Sequence, residues 1–238
     1  MPYLALPRPY RCDEECAAAS THREECPILA RADKPDFEAE GDTEAYHCLL
    51  PLRLLLLTRS QPKVAALALR HLMDHEEERK GGEDWLTTER TVVARLCSAG
   101  EDFSEAEVRR ALGVLEVNCY EVTCTHGAGT KTGVRGCFPL GSLLSHSCVT
   151  NSRHLFSEVP PYTNTCIATV DLEEGQEVLT SYQQPHMCSL RSRSFCPHNT
   201  LIPCRRRPEL SSGWYFSCRC PRCLSATELG SHLNSLVV

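Results

Sequence analysis

The sequence predicts an α+β fold, on three observations. Residues 45–120 are dense in leucine and alanine at helical spacing. Residues 130–224 mix short strands, turns and cysteines. A tight Cys/His cluster lies at 1–30. Helical and strand patterns that occupy separate stretches, instead of alternating, point to segregated helices and strands.

Composition narrows the class. The 238 residues are 42% apolar and 24% charged, an ordinary globular balance. A net charge of -6 gives no strong nucleic-acid signal, since general nucleic-acid binders are basic. Sixteen cysteines admit two explanations: a secreted disulfide framework, or metal sites in a reducing compartment. Met1–Arg11 has no apolar core of signal-peptide length. The run Leu49–Leu57 is interrupted by Pro51 and Arg53 and is too short to span a bilayer, so no membrane partner is expected. Disulfide scaffolds are small and loop-rich, whereas this chain has long helical patterns. The reading is therefore cytoplasm or nucleus, with zinc held by some of the cysteines. The acidic run Asp33–Glu44 reads as a solvated loop.

The helical zone opens with Ala45–Leu57 and Pro62–Glu78, both rich in helix formers. Pro62 suits a first helical position, where no amide donor is needed. Gly81-Gly82 ends that stretch, and Trp85–Cys97 follows with Val92, Val93 and Leu96 at helical spacing. Ser104-Glu105-Ala106-Glu107 is a capping-box pattern. The helix it starts places Val108, Ala111, Leu112 and Leu115 on one face. This zone reads as core packing without chemistry.

In the next zone Thr165–Leu172 is β-branched and alternating, Glu173-Glu174-Gly175 is a turn, and Glu177–Tyr182 is a second strand. Residues 187–212 carry Cys188, Cys196 and Cys204 without a clear period and read as a loop or insertion. Then comes Cys218-Arg219-Cys220-Pro221-Arg222-Cys223, a C-x-C-x-x-C array. Zinc takes four ligands at tetrahedral angles, and closely spaced thiolates wrap one ion readily. The adjoining arginines favour the thiolate form. Three ligands leave one position for water or a distant cysteine.

Ser145-His146-Ser147-Cys148-Val149-Thr150-Asn151 resembles the N-H-S-C-x-P-N signature of SET domains, with Ser145 in place of asparagine and Thr150 in place of proline. Thr180-Ser181-Tyr182 resembles the strand end that bears their active-site tyrosine. Trp214–Cys223 is similar to the post-SET segment. With the N-terminal cysteine cluster and the helices after it, the order over residues 10–230 resembles the SET and MYND domain (SMYD) family, in its arthropod type. The resemblance implies a SET-type β-core (121–186) with an inserted helical region (45–120). It also implies a partial MYND zinc finger (1–30), a loop or insertion (187–212) and a cysteine-rich post-SET zinc segment (213–226).

It further implies methyl transfer from S-adenosylmethionine to a lysine of a protein substrate. The sulfonium methyl is already activated, so such a protein mainly supplies alignment. On that resemblance Cys148 is the fourth ligand of the zinc held by Cys218, Cys220 and Cys223. Tyr182 is the catalytic hydroxyl that orients amine and methyl. Asn118, Ser145, His146 and Phe216 contact the cofactor, and Trp214 lines the substrate channel. Each also has a plain structural reading: a turn asparagine, a core histidine, a core aromatic pair.

The N-terminal cluster Cys12-x3-Cys16-x5-His22-x3-Cys26 reads, by itself, as one zinc site of three sulfurs and one nitrogen. The resemblance implies something else: Cys12/Cys16 and His22/Cys26 as halves of two interleaved MYND sites, each lacking its upstream C-x-x-C pair. A MYND region implies a Pro-containing peptide as a partner. By the same comparison the chain starts after the family's glycine-rich segment and stops before its helical repeats, so it reads as truncated at both ends. Two functions are compatible with the residues: a SET-type lysine methyltransferase-like protein impaired by truncation, or a non-catalytic zinc-binding interaction module.

Overall fold

The computed structural model of the chain describes residues 22–32, 44–100, 103–126, 130–159, 162–183 and 203–224. Two compact units divide after Asn118. Helices fill the first and short strands dominate the second, as the segregated patterns predict.

The first unit contains α1 (His22–Arg31), α2 (Glu44–Ser60), α3 (Pro62–His71), α4 (Glu76–Arg79), α5 (Glu83–Thr88), a π-helical turn (Glu89–Val93), α6 (Ala94–Ser98) and α7 (Glu105–Asn118). At its centre, α2 packs against α1, α3 and α7. Cys48, Leu49, Leu52, Leu54, Leu55 and Leu56 are all buried. A helix apolar on most sides is stable only when enclosed. Pro51 lies inside α2 without ending it. An interior proline costs about 3 kcal/mol, which the buried leucines offset at roughly 1.5–3 kcal/mol each.

Local start signals act as the sequence predicts. Pro62 stands at the first turn of α3. Ahead of α7 the capping box closes in both directions: the Glu107 amide donates to Ser104 Oγ at 3.3 Å, and the Ser104 amide donates to Glu107 Oε2 at 2.9 Å. These bonds from Ser104 hold the Glu107 carboxyl below the usual carboxylate range. Val108, Ala111 and Leu115 are buried, while Leu112 is only partly covered. Gly113 marks a close approach, since a Cβ there would lie 2.7 Å from Asp74 Cβ and 2.9 Å from the Asp74 carbonyl oxygen. Arg110 fastens the end of α3 by donating to the carbonyls of Leu69 (3.0 Å) and Leu72 (2.6 Å). Inside the unit, Glu25 is buried and receives both nitrogens of Arg53, at 2.6 and 3.0 Å.

The second unit begins with the antiparallel hairpin β1 (Cys119–His126) and β2 (Thr130–Cys137). There follow α8 (Pro139–Ser142), β3 (Ser145–His146), β4 (Ser152–Phe156), β5 (Asn164–Ala168), β6 (Leu179–Thr180), α9 (Pro203–Trp214) and α10 (Pro221–Leu224). β4 pairs with β5 antiparallel, and β3 pairs with β6 parallel. An aromatic group knits the hairpin to β4: the Tyr120 ring lies 6.1 Å from Phe138, 5.0 Å from His154 and 5.2 Å from Phe156. Its hydroxyl donates to the Gly141 carbonyl at 3.0 Å, and burial pushes its pKa up to about 12.

Three strand and loop expectations change in this unit. The strand expected over 165–172 ends at Ala168; one further bond in the β4–β5 register, from the Thr169 amide to the Asn151 carbonyl at 2.9 Å, closes the ladder. The strand expected over 177–182 shrinks to Leu179–Thr180. Between them the turn holds, with Gly175 at φ +83° and the Gln176 amide donating to the Glu173 carbonyl at 3.1 Å. The stretch 187–212, expected as a loop or insertion, is helical from Pro203 onward. Pro208 and Gly213 hide that helix from a periodicity reading, while the fully buried Leu210 anchors it. Among the described residues no helix is long and apolar enough to cross a membrane.

Candidate functional site

The site grows from the segment 145–151 and its pairing with β6. Ser145 and His146 lie opposite Leu179 and Thr180. The Ser147 amide donates to the Thr180 carbonyl at 2.9 Å. Asn151, whose side chain is buried, completes the seam: its Nδ2 donates to the Glu177 carbonyl (2.9 Å) and its Oδ1 accepts the Leu179 amide (2.7 Å). Ser147 Oγ accepts the Val149 amide at 3.0 Å, turning the chain at Cys148. Sequence reasoning gave Asn151 and Ser147 no role beyond membership of the motif. Asn151→Ala should therefore cost the second unit roughly 1–3 kcal/mol, because the Glu177 carbonyl and the Leu179 amide both lose their side-chain partner. Thermal unfolding of the variant checks this, with a change below the error of the measurement as the contrary result.

Tyr182 follows β6 and is held at both ends. Its amide donates to His146 Nδ1 at 3.0 Å, and its hydroxyl donates to the Leu144 carbonyl at 2.8 Å. Burial, with the Glu177 charge adding to it, raises the phenol above its ordinary pKa. The hydroxyl thus stays protonated at neutral pH and keeps oxygen lone pairs able to accept. Because His146 Nδ1 faces an amide donor, the neutral ring carries its proton on Nε2, which lies 3.4 Å from Cys148 Sγ and donates to it. One imidazole so bridges the tyrosine backbone and the cysteine.

Two more rings come from the C-terminal segment. Trp214 ends α9, and Tyr215 then adopts φ +59°, a left-handed turn that leads into Phe216. The Tyr182 ring lies 5.6 Å from Trp214 and 6.2 Å from Phe216, while His146 lies 5.2 Å from Tyr182 and 5.8 Å from Phe216. The result is an aromatic corner around the Tyr182 ring. Such electron-rich faces suit a cationic group.

Beside that corner, the sulfur atoms of Cys148, Cys218, Cys220 and Cys223 lie within 4.8 Å of one another. Cys148 is 3.9 Å from Cys218 and 3.5 Å from Cys223. Four thiolates at about 2.3 Å from a tetrahedral ion stand about 3.8 Å apart, so the group fits a metal of that kind. The short helix α10 supplies local closure, with the Leu224 amide donating to the Cys220 carbonyl at 3.0 Å. The Arg207 guanidinium also donates to the Cys223 carbonyl. Burial pushes the Cys148 and Cys218 thiols up. It acts on Cys220 too, but is outweighed there by the amides of Cys223 and Cys148 and by neighbouring thiols, which bring Cys220 down to about 6.

The structure thus brings together His146, Cys148, Tyr182, Trp214, Phe216, Cys218, Cys220 and Cys223, with Ser145 exposed on β3. Asn118 belongs to the first unit, where its Nδ2 donates to the carbonyls of Met73 (2.7 Å) and Val114 (2.8 Å) at the end of α7. Cys12 and Cys16 lie outside the described residues, as does the His22 side chain, and Cys26 is half-buried on α1.

No family model matches the chain. It is similar to the SET domain-containing protein SmydA-8, isoform A, of Drosophila melanogaster: 26% identical over 236 residues, which is 94% of this chain and 44% of that protein. Isoform B of the same protein is 25% identical over 227 residues, 93% of this chain and 44% of the isoform. The chain therefore spans less than half the length of the curated relatives it matches.

Proposed function

A SMYD-type SET protein is what similarity over nearly the whole chain supports, and from that premise we propose a protein-lysine N-methyltransferase whose methyl-transfer corner lies in the second unit. The observation that carries this reading is Tyr182, whose hydroxyl is tied to the Leu144 carbonyl and whose ring packs against those of His146, Trp214 and Phe216. S-adenosylmethionine, when bound, supplies an activated sulfonium methyl. The aromatic corner suits that cation. Ser145, His146 and Phe216 are the residues proposed to contact it, and Trp214 to line the lysine channel.

Tyr182 orients the amine through its oxygen lone pairs while its own O–H stays donated to the Leu144 carbonyl. The apolar walls favour the neutral amine, the only form that can attack. Zinc, held by Cys148, Cys218, Cys220 and Cys223, is proposed as a structural fastening. It ties the segment bearing Trp214 and Phe216 to the segment bearing His146. The substrate is a lysine-containing protein, and the proposed setting is cytoplasm or nucleus. Cys12, Cys16, His22 and Cys26 are proposed to hold zinc in a MYND-type region that takes a Pro-containing peptide.

A second reading, a zinc-binding interaction module without catalysis, is favoured by one observation: the Asn118 amide is already committed to two backbone carbonyls. Calorimetric titration of the zinc-loaded chain with S-adenosylmethionine separates the two. One-to-one binding is expected for the enzyme. Absence of heat at saturating cofactor, with zinc retained, overturns the enzyme reading and leaves the module.

A further inference from the structure

The hairpin carries a second group of thiols, distinct from the four-cysteine cluster. Cys119 is the first residue of β1 and Cys137 the last of β2, and the register sets them directly opposite each other. Opposed residues of an antiparallel pair point to the same face, with Cβ atoms about 4.5–5.5 Å apart. A disulfide takes Cβ atoms at about 3.5–4.5 Å and Cα atoms at about 4.4–6.8 Å. Opposed Cα atoms of an antiparallel pair, about 4.5–5.5 Å apart, already lie within that range, and this pair closes the ladder. The two thiols hydrogen-bond to each other, both are half-buried, and no disulfide joins them.

We propose that Cys119 and Cys137 form an oxidisable dithiol, which a peroxide closes into a cross-strand disulfide. The roles of the two sulfurs differ. The hydrogen bond from Cys137 holds the Cys119 thiol below its ordinary range against the opposing effect of burial, with the Arg135 charge helping. The same hydrogen bond, with burial adding to it, keeps Cys137 protonated. Cys119 is then the nucleophile.

Its thiolate attacks the O–O bond, which breaks: one oxygen stays on sulfur as a sulfenic acid, and the other leaves as hydroxide and takes a proton to become water. The Cys137 sulfur, losing its proton, attacks the Cys119 sulfur, and the S–O bond breaks to release a second water. Two thiols and one peroxide give one disulfide and two waters; the two electrons lost by sulfur reduce the peroxide. The bond would lock the hairpin base immediately before Phe138, which packs on Tyr120. From there α8 leads to Leu144, the acceptor of the Tyr182 hydroxyl. The inference stands on the hairpin register and does not depend on methyl transfer.

The test treats the full, zinc-loaded chain with hydrogen peroxide, alkylates the remaining thiols and maps the unreduced digest by mass spectrometry. A peptide pair joining Cys119 to Cys137 is expected, lighter than the sum of its parts by two hydrogen atoms and abolished by dithiothreitol. Alkylation of both residues should fall together, by about tenfold. In Cys137→Ser, a dimedone probe should label Cys119 as the sulfenic acid. Full alkylation of both residues, at a peroxide dose that oxidises other cysteines, overturns the proposal. So does a disulfide linking Cys119 to any other partner. If the serine variant does not fold, the wild-type map decides alone.

Discussion

Cys148→Ser is expected to strip zinc from the second unit and to release the segment that carries Trp214 and Phe216. Four sulfurs within 4.8 Å of one another form a site that tolerates no missing corner. Serine does not ionise near neutral pH and is a poor zinc ligand beside three thiolates. Structural zinc contributes roughly 10 kcal/mol or more to the segment that binds it. The Arg207 bond to the Cys223 carbonyl and the Leu224 bond to the Cys220 carbonyl close only within the tail, whereas the Gln183–Glu209 contact of 2.9 Å ties α9 to the segment after β6.

The loss should also reach Tyr182. His146 donates to Cys148 and accepts from the Tyr182 amide, so removing the sulfur removes an anchor of that ring. Zinc content should fall from about one equivalent at this site to below about a tenth of one. Near-UV circular dichroism should flatten as the aromatic corner opens, while the helices of the first unit persist in the far-UV. A variant that keeps a full equivalent of zinc, with an unchanged near-UV spectrum, would falsify the assignment of Cys148 to the cluster.

Tyr182→Phe is expected to lower kcat for lysine methylation by about 100-fold or more, since misalignment at a reacting centre costs that much. The variant keeps the ring, its contacts to His146, Trp214 and Phe216, and the amide bond to His146 Nδ1. It loses only the hydroxyl and leaves the half-buried Leu144 carbonyl without that donor. The stability cost should stay near 1 kcal/mol, and zinc content should not change. Cofactor affinity should move little, because the aromatic faces remain. The readout is therefore a split: kcat falls, while cofactor Kd, zinc content and thermal stability hold. A lysine-peptide library with labelled cofactor supplies the assay, and wild-type turnover by the phenylalanine variant would remove Tyr182 from the chemistry.

The legibility of this protein in its sequence follows the range of the signals. Helix starts were readable because they are made by neighbours: Pro62 sets its own backbone, and Ser104 and Glu107 reach each other across one turn. The turn at Gly175 was readable for the same reason. The helix over Pro203–Trp214 was not, because what holds it is the burial of Leu210 rather than a local pattern. The strand at Asn164–Ala168 is shorter than the alternation over 165–172 suggests because its partner runs out: past the in-register bond of Thr169 to Asn151, the Asn151 side chain turns to Glu177 and Leu179.

Within the site, the sequence by itself determined the C-x-C-x-x-C array, whose ligands are close because the chain between them is short. Motif resemblance, not spacing, pointed to Cys148 and Tyr182. Only the tertiary structure decided that sulfurs 70 and 75 positions apart along the chain stand 3.9 and 3.5 Å apart. It also decided that Asn151 sews the two strands of the site together and that Cys119 faces Cys137 across a hairpin. Contacts of that kind are closed by folding as a whole: their loop entropy is met by burial and hydrogen bonds spread over the unit, and no single stretch of residues records the outcome.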